Sequence, residues 1–348
     1  MSGQGRVTFK ASHRVAASEG MDDTDRELLM LIGQNPRIHF RELAKRLGIS
    51  RQAIHRRVQA LKESGVIKPS IAMVSFSFLD AVSVVVSGFA KTTSMEKTLD
   101  RLGEGDRTRR VVVAGGNYLY VIGFLRNISE LDNYVEFVRR TAEMPEPSVG
   151  IYNEENEDLM PYSIDGSGTR RQRNIDLSPL DFKIIGSLRD DARKPMAEIA
   201  KMVGVSTKTV RRHLEKLTSG GALDMSVPMD MTLGGDLFMV MHVNLKYGAD
   251  KRDVGRRLLS KHYFKDQYIR TYSNIPNLIA WVFWSDKISE VRRALRETSE
   301  DKDVTSVMLN FAYMERIYKN WRDRLPEFEV QARRNPGRIG PSSRRKKS

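Results

Sequence analysis

The sequence predicts an α+β protein in which one composite unit occurs twice. The unit is a three-helix segment ending in a short strand, followed by a segment of mixed strands and helices. Three observations carry this. Residues 25–67 align with residues 181–223 at a constant offset of 156, without a gap. Within each copy, apolar residues recur at helical spacing in three stretches punctuated by glycine and proline. After each copy, strand-like and helix-like stretches follow in the same order, so the repeat extends beyond the aligned core.

The aligned segments share Asp25/Asp181, Arg37/Arg193, Glu42/Glu198, Ala44/Ala200, Lys45/Lys201, Gly48/Gly204, Ser50/Ser206, Arg56/Arg212, Leu61/Leu217 and Gly65/Gly221. Most other apolar positions are conservative swaps, which marks an internal duplication. The first copy predicts a helix over 22–34 with Leu28, Leu29 and Ile32 on one face, closing at Asn35-Pro36. A second helix follows over 40–47. Gly48 supplies the turn, because a helix end with positive φ is least strained as glycine. Ser50 is the expected N-cap of a third helix over 51–64, with Ile54, Val58 and Leu61 as its core stripe. A strand and wing are expected over 67–74, interrupted by Pro69. The second copy repeats each step: helices over 179–188 and 196–203, Gly204, the cap Ser206, the stripe Val210, Leu214 and Leu217, then Gly220-Gly221. This is the order of a winged helix-turn-helix, whose third helix enters the DNA major groove.

Between and after the copies, the predicted elements are strand 82–90, helix 95–102, strand 109–113, a turn at Gly115-Gly116-Asn117, strand 118–125, helix 128–142 and strand 149–152. The second set is strand 237–246, helix 251–261, strand 268–272, a turn at 273–277, strand 278–284, helix 288–298 and strand 304–313. Each is βαββαβ, the ferredoxin-like order, with helices on one sheet face and the other face in need of a cover. The expected division is a basic disordered arm over 1–20, winged helix-turn-helix domains over 21–74 and 176–230, α+β domains over 80–152 and 236–320, a flexible linker over 153–175 and a disordered basic tail over 331–348. The linker turns from acidic (Glu154, Glu155, Glu157, Asp158) to basic (Arg170, Arg171, Arg173) around Asp165-Gly166-Ser167-Gly168.

Composition narrows the partner. With 40% hydrophobic and 29% charged residues the chain is ordinary globular material, and its net charge of +14 favours a polyanion, nucleic acid first. The tail alone carries Arg333, Arg334, Arg338, Arg344, Arg345, Lys346 and Lys347 without an acid, suited to sequence-independent phosphate contact. No stretch approaches the roughly 18 apolar residues of a spanning helix, and the N-terminus lacks a signal-peptide core. A membrane partner is not expected. The absence of cysteine removes disulfides, thiol nucleophiles and cysteine-based metal sites, and fits a reducing cytoplasm. The six histidines (His13, His39, His55, His213, His242, His262) form no ligand spacing, so no metal or cofactor is expected. No phosphate loop, carboxylate pair or nucleophile–histidine arrangement points to catalysis.

A winged helix-turn-helix followed by a βαββαβ (RAM-like) domain resembles the Lrp/AsnC, or feast/famine, regulators. The resemblance rests on Asp25, Leu28-Leu29, Glu42-Leu43-Ala44 with Leu47-Gly48-Ile49-Ser50, Val58, Leu61, Gly65-Val66-Ile67, and Val113 with Gly115-Gly116-Asn117-Tyr118-Leu119, and covers 21–152 and 176–318. It implies a non-enzymatic, sequence-specific binder of double-stranded DNA, located at the nucleoid. It further implies α+β modules that pair between protomers, giving a homo-oligomer, and that bind small effectors such as amino acids. The chain departs from the family in fusing two units into a built-in pseudo-dimer, and in carrying Asn117 where an acidic residue is common. The same two-domain unit also resembles siroheme decarboxylases of haem biosynthesis. Those carry a His-Asn-Tyr turn where this chain has Gly116-Asn117-Tyr118, and Arg109, Arg110 and Arg270 are the side chains that would hold carboxylates. An architectural, sequence-indifferent DNA coat is a further alternative.

The expected DNA-binding residues are Arg51, Gln52, His55, Arg56 and Lys68 in the first copy and Thr207, Lys208, Arg211 and Arg212 in the second, with Arg51, Gln52 and Arg56 nearest the bases and Lys68 on phosphate. From 21 to 70, ten Lys/Arg face six Asp/Glu; from 176 to 230 the counts are nine and eight, and Asp224 replaces Lys68. The first copy is therefore expected to be the stronger DNA contact, with the second reading another sequence or serving as a docking unit.

Overall fold

The computed structural model describes residues 21–75, 78–79, 81–152, 159, 176–234, 237–262 and 267–325. The expected N-terminal arm, most of the linker and the basic tail lie outside the described residues. The first helix-turn-helix consists of α1 (Asp23–Gln34), α2 (Phe40–Leu47) and α3 (Arg51–Glu63), followed by β1 (Ile71–Val74). The first α+β module is β2 (Val82–Phe89), α4 (Met95–Leu102), β3 (Thr108–Ala114), β4 (Tyr118–Leu125), α5 (Leu131–Thr141) and β5 (Ser148–Ile151). The second helix-turn-helix is α6 (Pro179–Leu188), α7 (Met196–Val203) and α8 (Thr207–Ser219), with β6 (Leu223–Ser226). The second module is β7 (Leu237–Leu245), α9 (Lys251–Lys261), β8 (Gln267–Thr271), β9 (Leu278–Ser285), α10 (Ile288–Ser299) and β10 (Val304–Ile317).

Local chemistry explains the matching ends. Ser50 and Ser206 accept from the backbone N–H of Ala53 (3.0 Å) and Thr209 (3.1 Å), capping α3 and α8. Gly48 and Gly204 end α2 and α7 at φ 65° and 74°, where a Cβ would be strained.

One expectation about the wings is corrected. Each third helix was expected to run into its own wing. Instead β1 pairs antiparallel with β6, from Ile71↔Ser226 to Val74↔Leu223, and Ile67 bridges Met229. Each short strand has exposed backbone edges, and its counterpart in the other copy satisfies them.

The βαββαβ order is realised twice, and the two sheets become one. The strand order is β5-β2-β4-β3-β10-β7-β9-β8, joined where β10 pairs with β3 from Ala312↔Ala114 to Ile317↔Arg110. β10 runs four residues beyond its expected end at Tyr313 to make this seam. The outer strands also meet: Tyr152 bridges Tyr272, Ser273 N–H donates to Ile151 O (2.9 Å) and Asn274 bonds the backbone of Val149 and Ile151 (2.8 Å each). The two ends of the sheet thus touch at this one bridge and the loop after β8, while β5 and β8 themselves form no ladder.

Alternation along the strands divides the core into layers. Val84, Val86, Val111, Val113, Leu119 and Val121 pack under α4 and α5 with Leu99, Leu102, Tyr134 and Val138. Met239, Met241, Val243, Trp281 and Phe283 do the same under α9 and α10 with Val254, Leu258 and Val291. The opposite faces meet each other through Tyr118, Tyr120, Ile122, Phe238, Val240, Tyr268, Tyr272, Val282 and Trp284. The face that the sequence left for a second protomer is thus covered by the chain's own second half.

After β10 the chain straps the second helix-turn-helix to the first module. Trp321 Nε1 donates to Phe124 O (2.8 Å), Lys319 pairs with Asp190 (2.9 Å), and Arg109 lies 3.7 Å from Asp323. Arg322, fully buried, donates to Val74 O at the end of β1 (2.6 Å) and pairs with Asp224 on β6. Arg322→Ala should cost about 3–5 kcal/mol, because it strands Asp224 in a largely buried position. The denaturant midpoint measures this, and a change under about 1 kcal/mol, the range of an exposed pair, would mean the strap carries no load.

Candidate nucleic-acid interface

The third helix of each copy is positioned from behind by the same acid. Asp25 accepts from Arg57 of α3 (2.8 Å), and Asp22 lies at the same distance from Arg57. At the equivalent place Asp181 accepts from His213 of α8 (2.7 Å), from Lys216 (3.1 Å) and from Ser178 (2.7 Å). Burial opposes ionisation of Asp181, but these hydrogen bonds outweigh it and hold its carboxyl below the usual carboxylate range. Arg57 and His213 are therefore anchors. Sequence reasoning missed them because they interrupt the exposed basic face without belonging to the apolar stripe. The signal available was that Asp25 and Asp181 are identical 32 residues before each.

With the helices held this way, Ile54, Val58 and Leu61 of α3 and Val210, Leu214 and Leu217 of α8 face the core. The opposite faces are exposed, carrying Arg51, Gln52, His55 and Arg56 on α3 and Thr207, Lys208, Arg211 and Arg212 on α8. His55 packs edge-on against Phe40 (5.5 Å), and Gln59 donates to Glu63 (2.8 Å). Among the described residues, none of Arg51, Arg56, Lys208, Arg211 and Arg212 is engaged by an acid. Five cations thus stand on two surface helices without internal partners, an arrangement suited to phosphate and base edges.

Two charged positions lie elsewhere than expected. Lys68 is half-buried, its backbone N–H donates to Pro228 O (2.9 Å), and its charge acts on Asp230 and Glu315 at the junction with the sheet. Asp224, expected to oppose phosphate, is instead bound to Arg322. Both differences have one cause: the residues after each third helix form the shared ladder rather than free wings.

The two helix-turn-helix units also touch directly. Arg193 donates to Pro36 O and Ile38 O (2.8 Å each) and lies over the Phe40 ring (5.1 Å). Arg37 donates to Ala192 O and Lys194 O, the latter at 3.3 Å. No group of side chains among the described residues is arranged to hold a metal ion, and no described helix is long and apolar enough to cross a membrane.

The family model for winged helix-turn-helix DNA-binding domains matches residues 21–68 and 177–223, the two segments just described. The transcriptional regulator Ptr1 of Methanocaldococcus jannaschii is 31% identical over 117 residues, covering 33% of this chain and 79% of Ptr1. The chain belongs to the Lrp/AsnC family of transcription regulators. LrpA of Pyrococcus horikoshii is similar at 27% identity over 100 residues, covering 28% of this chain and 71% of LrpA. This Lrp/AsnC protein is about twice the length of those relatives, as the duplication requires. Its whole two-unit arrangement is also similar to the crystal structure of the siroheme decarboxylase NirDL. That likeness has a TM-score of 0.55 at 15% identity, over 89% of this chain and all of the other, and is a likeness of fold.

The junction of the helix-turn-helix units with the sheet offers a pH test. Burial pushes the Glu315 carboxyl up to about 7 from an ordinary 4.5, against the pull of Arg110 at 3.7 Å and with Asp230 adding to the rise. Its folded value lies above its unfolded one, so its contribution is complete below about 4.5 and is lost as pH rises to about 7. Urea unfolding across this range should show wild type losing stability that Glu315→Gln does not lose; parallel pH profiles would exclude Glu315 as the titrating group.

Proposed function

We propose that this protein is a sequence-specific, double-stranded DNA-binding regulator whose single chain carries two non-identical reading heads. The observation that supports this most is the pair of capped, exposed, basic helices without acid partners. On α3, Arg51, Gln52 and Arg56 are the base-reading candidates, since arginine and glutamine make bidentate contacts to guanine and adenine. On α8, Thr207, Lys208, Arg211 and Arg212 occupy the matching surface, so the two half-sites need not share a sequence. Lys68 takes part through the junction it stabilises rather than through phosphate. The basic tail adds non-specific affinity, and the protein acts at the nucleoid.

The tetrapyrrole-enzyme alternative is less well supported, because its candidate carboxylate binders are engaged within the fold. Arg109 and Arg110 each lie 3.7 Å from a buried acid, Asp323 and Glu315, and Arg270 lies over the rings of Tyr152 and Tyr268 at 4.8 and 5.8 Å. A small effector of the α+β modules belongs to the proposal on family grounds. The Gly116–Asn117 turn, where an acidic residue would favour an amino-acid ligand, instead places Asn117 against Tyr313 (3.4 Å). The homo-oligomer expected through the α+β sheets would need other surfaces, because the inward sheet faces already cover each other within one chain.

Selection from random duplexes should return two distinct half-sites about one helical turn, roughly 34–36 Å, apart. On that site Arg56→Ala should cost about 1–3 kcal/mol and relax selectivity at one position of the first half-site, and Arg212→Ala should do so in the second. Equal losses on random DNA would reduce these side chains to phosphate contacts. Deleting 331–348 should lower the salt slope for all sequences alike, and an unchanged slope would remove the tail from the interface.

A further inference from the structure

The contact between the two helix-turn-helix units has a reciprocity that its ladder alone does not need. Arg37 sits in the loop between α1 and α2, and Arg193 in the loop between α6 and α7. Arg37 donates to the carbonyls of Ala192 and Lys194, the two residues flanking Arg193. Arg193 donates to the carbonyls of Pro36 and Ile38, the two flanking Arg37. Each loop is shaped for this by the same local turn, in which Asn35 accepts from Arg37 N–H (3.0 Å) and Asp191 from Arg193 N–H (2.8 Å). Ala192 N–H further donates to Ser70 O (3.0 Å), tying the second loop to the start of β1.

The β1–β6 ladder, with Arg322 bound to both strands, fixes the units along one line, and a two-stranded ribbon can still twist about that line. A second contact removes that rotation. Guanidinium forks are suited to it, since each spans two carbonyls of a fixed backbone at once. Both arginines are half-buried, and their guanidinium groups are taken up by backbone carbonyls of the opposite unit. Their role in recognition is therefore indirect.

We propose that Arg37 and Arg193 are positioning residues that lock the two helix-turn-helix units into one rigid reading head, so that operator choice includes a fixed separation between half-sites. This rests on the DNA-reading function proposed above, and it makes spacing a property of the folded chain rather than of its assembly. Reciprocal donation explains why both positions carry arginine when the recognition surfaces around them have diverged.

The test has two arms. The chain has no cysteine, so Gln59→Cys and Glu215→Cys, on the exposed faces of α3 and α8, take spin labels selectively. The full-length chain should give one narrow inter-label distance, and R37A/R193A a broad or split distribution; an unchanged width overturns the lock. In the second arm, duplexes carrying the two selected half-sites are varied in spacer by single base pairs. Wild type should lose about tenfold or more on the wrong spacers, comparable to one mismatched base pair. R37A/R193A should flatten that profile while binding a single half-site as wild type does. An unchanged profile overturns the spacing role. Should the alanine pair fail to fold, R37K/R193K, which keeps the charge but not the fork, is read by the same criteria. A wild-type chain that ignores DNA would defeat the proposed function alone, since the distance arm still decides whether the arginines lock the heads.

Discussion

In each α+β module the sheet face away from the helices is apolar as well, although an antiparallel sheet can leave one face to water, and an apolar face must be covered. In this chain the cover is a second copy of the same module, fused into the same polypeptide. Tyr118, Tyr120 and Ile122 from one sheet meet Phe238, Val240, Tyr268 and Trp284 from the other, while β3 and β10 join the sheets and Tyr152 bridges Tyr272. Once the modules are fixed face to face, the domains that precede them are brought together as well. The pairing of β1 with β6, the arginine exchange and the strap around Arg322 all presuppose it.

The duplication has kept what orients and changed what faces outward. The acid on the first helix, the capping serine, the glycine turn and the apolar stripe persist in both copies. The acid's partner differs, Arg57 in one and the His213–Lys216 pair in the other, yet it holds the third helix from the same side. Of the outward positions, Arg56 and Arg212 are identical, while Arg51, Gln52 and His55 face Thr207, Lys208 and Arg211. A symmetric dimer of single-unit proteins has two copies of one surface. A fused chain is free of that constraint and presents two different surfaces on one frame.

Charge inside the molecule is spent on joints. Arg109, Arg110 and Arg322 are buried and lie against Asp323, Glu315 and Asp224 where a helix-turn-helix meets the sheet or where the modules adjoin. Such pairs add little net stability compared with apolar packing, but they tolerate few alternative alignments. Here they coincide with the places where one domain must keep its angle to another.

The repeat, the ends of most helices and strands, and the exposure of Arg51, Gln52, Arg56, Lys208, Arg211 and Arg212 were legible from the sequence. These are properties of local periodicity, caps and glycine turns, which a single segment encodes. The destinations of Lys68 and Asp224, the anchoring roles of Arg57 and His213, and the reciprocity of Arg37 and Arg193 were not, although the last pair stood out as identical. Each depends on a partner between 32 and 247 residues away in the chain, and spacing carries no information about which distant residues meet. By itself the sequence determined what each segment is; the tertiary structure decided which segment each one faces, because strand edges and buried charges accept any complementary partner and only the face-to-face packing of the two modules selects one.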